Sequence, residues 1–248
     1  MAVDGDTRAK KKALEKEFFS RIPKARRINP FYRSIFEFMY QVHLHAVPGT
    51  KLLNIYSSND FAGSREEVYR ERFFNECEYD GIDFWEDSFI YNGEKTGHTL
   101  PFPDKSFDLI VTTKYILEHI SDPQKVMNEL HRILKPGGVA FLVSPFVRRQ
   151  HQAPYDFFRY TEYGIQHLCK KAGFIEVKTD PTNAAMATFA NYWYFFERGL
   201  NVPWFVERFF DYIHSFIIEP LFYTLDRLDN GYGRDLTQYF LVRATKGK

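Results

Sequence analysis

The sequence predicts an α/β fold in which a mainly parallel β-sheet is covered by helices on both faces. Apolar runs of strand length alternate with stretches that repeat at helical spacing, and Pro-Gly pairs separate them. The run at 139–143 is apolar at five successive positions, which indicates a strand covered on both sides. In such a fold the ligand crevice lies at the carboxyl ends of the strands.

Five strands are predicted from short apolar runs. The first follows the breaker Pro48-Gly49 and reads KLLNIY. Helical segments are expected between the strands. The five predicted strands occupy residues 51–56, 79–83, 106–113, 139–144 and 174–178.

Helices are predicted where apolar residues recur three or four positions apart. One helix is expected within 31–47 and another within 161–171. A helix capped by Ser121, with a proline close behind it, is expected to end at the Lys-Pro-Gly-Gly sequence of 135–138. Residues 8–27 mix basic residues with glutamates and predict a basic helix, either a solvated leader or a binding arm.

Composition limits the class of protein. With 248 residues, of which 44% are hydrophobic, the chain is long enough for one large α/β domain. A net charge of +1 gives no reason to expect a nucleic-acid partner. Cys77 and Cys169 form no motif, which favours a reducing compartment. Because the apolar runs fall short of the roughly 20 residues of a membrane-spanning helix, we expect a cytoplasmic protein.

Two neighbouring segments resemble a known family. Residues 100–123 read LPFPDKSFDLIVTTKYILEHISDP, and residues 129–138 read ELHRILKPGG. Together they closely resemble the class I S-adenosylmethionine-dependent methyltransferases of the type 11 group. The sequences SPF, HQAPYD, RYT and AGF resemble the branch of that group found among polysaccharide and glycan genes; they begin at residues 144, 151, 159 and 172.

The resemblance implies a Rossmann-like seven-stranded sheet with helices on both faces and an antiparallel last strand at 238–243. It also implies S-adenosylmethionine as the cofactor. The expected organisation is an N-terminal helical extension at 1–50, the methyltransferase core at 51–180, an aromatic helical insertion at 181–234, and the last strand with the C-terminus at 235–248.

The turn after the first strand departs from the family. Where the family has an acid and then a Gly-x-Gly turn, this chain has Asn54 followed by Tyr56, Ser58 and Asp60. Asn, Asp and Ser still favour turns, but the Tyr56 ring either fills part of the space for the methionine moiety or turns aside. The resemblance implies that Asp83 binds the ribose hydroxyls. The expected cofactor-binding residues are Asn54, Tyr56, Ser57, Ser58, Asp83, Thr113 and Lys114.

Three residues after the 139–144 strand are candidates for catalysis. His151 has the pKa range of a general base, Asp156 could orient it or bind a sugar hydroxyl, and Arg159 could hold an anionic group of the acceptor. In the alternative interpretation, Asp156 and Arg159 are an ion pair that fixes the loop, and His151 is a surface residue. His119 is a weaker candidate. No metal is expected, because no His, Cys or Asp cluster has metal-ligand spacing.

The aromatic residues concentrate between 189 and 223, interleaved with charged residues. This pattern predicts amphipathic helices that are a substrate lid, a homodimer face, a peripheral membrane contact, or simply core. The function predicted is O-methylation of a saccharide or related small-molecule hydroxyl acceptor. The alternative is a non-catalytic binding protein that has lost its cofactor.

Overall fold

The computed structural model describes residues 5–22, 27, 29–57, 66–112 and 115–248, with the side chains of 66–68 left out. The chain divides into two compact units. The sheet unit comprises Gln41–Asp180 and Tyr239–Lys248, and the helical unit comprises Met1–Tyr40 and Pro181–Gln238.

The sheet has eight strands, one more than predicted. They are β1 (Lys51–Tyr56), β2 (Glu78–Trp85), β3 (Ser88–Tyr91), β4 (Glu94–Gly97), β5 (Phe107–Thr112), β6 (Leu134–Pro145), β7 (Phe174–Pro181) and β8 (Tyr239–Lys246). Their order is β4-β3-β2-β1-β5-β6-β8-β7. The parallel pairing of β1 with β2 and β5, and of β5 with β6, confirms a mainly parallel centre. The antiparallel pairing of β8 with β6 confirms the predicted direction of the last strand.

The difference in strand number arises between β2 and β5. Helical segments were predicted there, but the chain forms two antiparallel hairpins instead, β2–β3 and β3–β4. Both turns have two residues with positive φ, Glu86 and Asp87 in the first and Asn92 and Gly93 in the second. Two successive residues of this conformation match the right-handed twist of a hairpin, and Asn-Gly is a favoured pair for it. The Asn92-Gly93 pair therefore indicated a hairpin.

The helices of the sheet unit surround an apolar core. Its helices are α3 (Glu66–Phe73), α4 (Pro123–Ile133) and α5 (Glu162–Lys171), with a 3-10 helix at Leu117–His119. Val126, Leu130 and Ile133 of α4 are fully buried in the main cluster with the strands. The N-cap of α4 is Asp122, whose side chain accepts from the Lys125 N–H, so the predicted cap was one residue early.

The helical unit is built from α1 (Gly5–Ser20), α6 (Ala185–Arg198), α7 (Trp204–Ile213), a π-helix (His214–Ile218) and α8 (Glu219–Asp226). The helix α2 (Pro30–His45) begins in this unit. Phe18 and Phe19 of α1 are buried and pack on Phe36, so α1 is more than a solvated leader. Among the described residues, no helix is both long and apolar enough to cross a membrane.

Candidate functional site

A cavity of about 670 Å³ lies at the carboxyl ends of the central strands. Ser57 reaches it from the end of β1, Trp85 from the end of β2, Tyr115 from the segment after β5, and the loop after β6 closes one side. This is the edge at which an α/β sheet of this order binds ligands. The lining residues are Ser57, Phe84, Trp85, Glu86, Tyr115, Ile116, His119, Arg148, Arg149, His151, Gln152, Ala153, Pro154 and Tyr155.

The loop after β6 is fixed by the ion pair of Asp156 and Arg159. Two guanidinium nitrogens of Arg159 donate to the two carboxylate oxygens of Asp156 at 2.6 and 2.8 Å. Arg159 also donates to the carbonyl oxygens of Arg148 and Arg149, at 3.1 and 2.9 Å. Burial by itself would raise the pKa of Asp156, but the hydrogen bonds from Arg159 and from the His151 N–H hold that pKa below its ordinary value. Asp156 and Arg159 therefore form the ion pair of the alternative interpretation, and their part in catalysis stays a prediction.

His151 lies at the cavity wall with its two ring nitrogens in different surroundings. Nδ1 is 3.2 Å from the Arg149 carbonyl oxygen and 3.5 Å from an Asp156 carboxylate oxygen. Nε2 is 3.5 Å from the Oε1 atom of Glu118. Asp156 accepts from the His151 backbone N–H at 2.8 Å, and the His151 ring faces a glutamate that the sequence analysis did not single out.

Glu118 and His119 come from the 3-10 helix that follows β5. Nδ1 of His119 is hydrogen-bonded to the Tyr155 carbonyl oxygen, and its Nε2 lies 3.8 Å from Glu118 Oε1. The rings of His119 and His151 meet edge to face, with centroids 4.8 Å apart. The Glu118 backbone carbonyl accepts from the Phe157 N–H at 2.7 Å, which ties this helix to the loop after β6. The two segments are distant in sequence, so spacing along the chain could not reveal the cluster.

The residues predicted to bind the cofactor differ in whether they line the cavity. Ser57 lines the cavity, and its buried hydroxyl has no hydrogen-bond partner among the described residues. Asn54 is fully buried within β1 and donates to the Tyr79 hydroxyl at 2.9 Å, so its amide nitrogen serves the sheet. Ser58, Thr113 and Lys114 lie outside the described residues.

The Tyr56 ring turns aside. A Cβ atom added at Gly81 would lie 3.0 Å from Cε1 of Tyr56, so the ring rests on the bare backbone of β2. Tyr56 is not among the residues that line the cavity. Because Gly81 has no side chain, the ring has room on the sheet and leaves the cavity free.

Asp83 is paired in register with Tyr56, the last residue of β1. It was predicted to end the second strand, but β2 continues for two more residues to Trp85. Phe84, Trp85 and Glu86 line the cavity, and the neighbouring Asp83, which is half-buried, is not among the lining residues. The hairpin that follows β2 explains the extension, since pairing with β3 holds residues 83–85 in the ladder.

Tyr115, which lines the cavity, belongs to an aromatic pair. Tyr115 stacks on Tyr239 with ring centroids 4.4 Å apart, and the Arg148 guanidinium lies 5.7 Å from the centre of the Tyr239 ring. Tyr239 is buried, which raises the pKa of its phenol well above the ordinary value. These residues come from three separate segments, so the sequence offered no local signal for them.

Comparison with known proteins finds a similarity to methyltransferases in the middle of the chain. Residues 70–142 match the sequence model of a methyltransferase domain. The matched segment is similar to a methyltransferase domain. It contains β2 to β5 and part of β6, together with the 3-10 helix that carries Glu118 and His119. The antiparallel last strand agrees with the fold that the sequence resemblance implied, whereas the sheet has eight strands instead of seven among the described residues.

Curated relatives of the methyltransferase domain include two enzymes of quinone biosynthesis. The ubiquinone/menaquinone biosynthesis C-methyltransferase UbiE of Pseudoalteromonas translucida (strain TAC 125) is 36% identical over 104 residues, which are 41% of this chain and 38% of that protein. The demethylmenaquinone methyltransferase of Geobacillus stearothermophilus is 29% identical over 118 residues, 36% of this chain and 50% of that protein. The chain thus spans half or less of the length of these relatives.

A solved structure supports the fold across the chain. It is a complex between the Haloferax volcanii Trm112 methyltransferase activator and a protein assigned as a methyltransferase. The alignment covers 100% of both chains with a TM-score of 0.50 and 12% sequence identity. At this identity the likeness shows the fold.

Proposed function

We propose that this chain is an S-adenosylmethionine-dependent methyltransferase that methylates a hydroxyl group of a small-molecule acceptor, with saccharides as the acceptor class. The observation that carries the proposal is the cavity at the carboxyl ends of β1, β2, β5 and β6, in a chain whose residues 70–142 match a methyltransferase domain. The resemblance of residues 144–174 to glycan-associated methyltransferases supports the choice of acceptor.

The residues present fit the cofactor at the β1 end of the cavity. The Ser57 hydroxyl, which has no hydrogen-bond partner in the described part of the chain, is available to hydrogen-bond a ligand, and the Tyr56 ring does not line the cavity. Asp83 is the proposed acceptor of ribose hydroxyls, as the resemblance implies. When bound, S-adenosylmethionine supplies a methyl group whose bond to the sulfonium sulfur breaks as the acceptor oxygen bonds to it, leaving a neutral thioether and releasing the hydroxyl proton to solvent.

The opposite wall of the cavity is the proposed acceptor side. His119 and His151 present their rings there, and Arg148 and Arg149 offer positive charge at the rim. We assign Asp156 and Arg159 as positioning residues, because their contacts fix the loop that holds His151. Trp85 and Tyr115 add apolar surface against which a ring could pack.

Calorimetric titration with S-adenosylmethionine and with its demethylated product tests the cofactor assignment. We expect binding by the wild type and binding weakened by about 5- to 150-fold in Asp83→Asn, the equivalent of about 1–3 kcal/mol for a hydrogen-bonding group left unmatched. Asp80→Asn is the matched control, since Asp80 alternates to the other face of the same strand.

Two outcomes would decide against the proposal. Folded wild-type protein, free of prebound ligand, that gives no heat with either compound would favour the non-catalytic binding protein. Methyl transfer to a quinone-type ring carbon in preference to saccharide hydroxyls would instead overturn the acceptor class and leave the cofactor assignment intact.

A further inference from the structure

Glu118 is a buried carboxylate without a hydrogen-bond donor among the described residues. Its side chain is fully buried, and neither carboxylate oxygen has a hydrogen-bond partner there. A buried, ionised carboxylate is strongly unfavourable unless donors or a cation compensate it. Asp156, close by in the same site, shows the usual solution, with donors from Arg159 and from the His151 N–H.

In their neutral forms, the two histidines beside Glu118 do not act as its donors. The Tyr155 carbonyl can only accept, so Nδ1 of His119 carries the hydrogen atom. By the same reasoning, Nδ1 of His151 carries the hydrogen atom toward the Arg149 carbonyl. In each neutral ring Nε2 then presents a lone pair, and both Nε2 atoms face Glu118 Oε1, at 3.8 and 3.5 Å. Two imidazole nitrogens and one carboxylate oxygen, all of them acceptors in these forms, therefore lie close together.

We propose that Glu118, His119 and His151 bind a divalent first-row transition-metal ion of the zinc class, with an open coordination position toward the cavity. One ligand atom from each residue lies within 4.8 Å of the others. Ligands about 2.0–2.1 Å from a tetrahedral ion are about 3.4 Å apart. The 3.5 and 3.8 Å spacings to Glu118 are close to that value, whereas the 4.8 Å limit of the set requires the side chains to draw together by about 1.4 Å when an ion binds. Two histidines and one carboxylate with a free position is the ligand set of catalytic zinc sites and of non-haem iron sites.

The surroundings of the three residues match those of a metal site. Histidine ligands normally donate their second ring N–H to a carbonyl or carboxylate, which fixes the tautomer and the ring orientation. Here Tyr155 supplies the carbonyl for His119, and Arg149 together with Asp156 supplies the acceptors for His151. Imidazole nitrogens also exclude magnesium and calcium, which take oxygen ligands.

The consequence for catalysis rests on the proposed function. Because His119 and His151 both line the cavity, an acceptor oxygen could fill the open coordination position. The cation would then hold the hydroxyl and make it easier to deprotonate. A His151 that ligates through Nε2 cannot take a proton at that atom, so this assignment replaces the general-base interpretation of His151.

The test is titration of tag-free, chelator-treated full-length protein with Co²⁺, followed by visible absorbance and calorimetry. We expect one Co²⁺ per chain, with absorption bands of a four- or five-coordinate ion. The affinity for Co²⁺ should fall at least about 100-fold in Glu118→Gln and in His151→Gln. Loss of a residue that only hydrogen-bonds to a metal ligand already lowers metal affinity by about 10- to 100-fold. His167→Gln is the control, because His167 is an exposed histidine on α5, outside the cluster.

Thermal melting of the metal-free proteins gives a second readout. The glutamine amide can donate to the histidine lone pairs, so metal-free Glu118→Gln should melt at or above the wild-type temperature. A lower melting temperature would indicate that Glu118 forms an ion pair with a protonated histidine, which overturns the proposal. Failure of the wild type to bind Co²⁺, or equal binding by wild type and His151→Gln, would overturn it as well.

The two proposals fail separately. S-adenosylmethionine binding is measured on the same metal-free protein, where the cofactor side of the cavity is intact. Co²⁺ binding without S-adenosylmethionine binding would keep the metal site and remove the methyltransferase function. The reverse result would remove only the metal site.

Discussion

The sheet unit and the C-terminal helices α6 to α8 differ in how far their large apolar side chains are buried. In the sheet unit, Leu52, Ile55 and Phe107 are fully buried. In α7 no residue is buried, and Trp204 is 75% exposed. Burial of apolar area is the main stabilising term in folding, so the sheet unit gains most from its core. The C-terminal helices depend more on specific polar contacts.

Those polar contacts are concentrated around the start of α6. Asp226 of α8 accepts hydrogen bonds from the Ala184 and Ala187 N–H groups, at 2.8 and 3.0 Å. The Asn183 side chain donates to Thr188 at 2.7 Å. A helix start leaves several N–H groups without intrahelical partners, and Asp226 satisfies two donors in this region from a different helix. The comparison teaches that the sheet unit is held mainly by packing, whereas the start of α6 is held by a small number of buried hydrogen bonds.

The largest expected effect is in the packed core. Phe107→Ala should lower the free energy of unfolding by about 3–5 kcal/mol, because it removes a fully buried ring and leaves a cavity. Phe209→Ala, at a ring that is 60% exposed on α7, should change it by less than about 0.5 kcal/mol. Urea denaturation of the wild type and of both variants measures the free energy of unfolding. Equal losses would show that α7 is as well packed as the sheet.

A smaller loss is expected where polar contacts dominate. Asp226→Ala should destabilise the helical unit by about 1–3 kcal/mol, since two N–H groups lose a buried acceptor at the N-terminus of α6. Asp235→Ala, at an exposed aspartate of the same unit, is the control. Hydrogen exchange of the amides of α6 should report the loss. If exchange in α6 were unchanged, the polar account of this unit would be wrong.

An ion pair in the sheet unit should make stability depend on pH. The Arg132 guanidinium donates to Glu129, which also accepts from the Leu100 N–H, and these contacts lower the pKa of Glu129 from 4.5. Its contribution to stability is therefore complete above pH 4.5 and is lost as the pH falls through the lowered pKa. Glu129→Gln should cost about 1 kcal/mol at pH 7.

The pH profile separates this effect from simple loss of packing. The stabilities of wild type and Glu129→Gln should converge as the pH is lowered below 4.5. Denaturation midpoints measured from pH 7 to pH 3 provide the data. A constant difference across that range would mean that the charge of Glu129 contributes nothing.

Substitutions of the exposed rings of α7 should have the smallest effect on the stability of the fold but should change the association of the protein with other molecules. We expect the exposed rings of α7 to mediate pairing with a second copy of this chain. Residues 181–238 contain seven acidic residues against four arginines, a balance that disfavours an anionic membrane surface. A Phe205→Ser, Phe209→Ser double variant should fold normally and sediment as a monomer, whereas the wild type should associate. A monomeric wild type that is retained by liposomes would instead favour the membrane contact.

Most of the sheet could be predicted because its strands carry strong local signals. β1, β5 and β6 contain the apolar runs from which they were predicted. β1 and β5 begin and end within one residue of the predicted bounds. β6 ends within one residue of its predicted end but begins five residues earlier than predicted. The β3–β4 hairpin was missed because its strands are only four residues long and are partly polar. Its signal was the Asn92-Gly93 turn, which specifies backbone conformation more strongly than the short strands do.

The candidate site was only partly predictable. His151, Asp156 and Arg159 lie within nine positions, and the structure brings them together as expected. Glu118 contacts His151 only because β5 and β6 are neighbours in a parallel sheet, which places the segments after both strands side by side. No periodicity in the sequence predicts the contact between Glu118 and His151. The position of the Tyr56 ring depended in the same way on a glycine in the adjacent strand.

The two outermost strands have a consequence for solubility. β4 is four residues long and carries Glu94 and Lys95, while β7 carries Glu176 and Lys178 in an exposed pair and ends at Pro181. Unpaired strand edges invite other chains to extend the sheet, and short length, charge and proline all oppose this. We therefore expect this protein to resist amyloid-like stacking at either edge, so that its sheet can be large without becoming a template for aggregation.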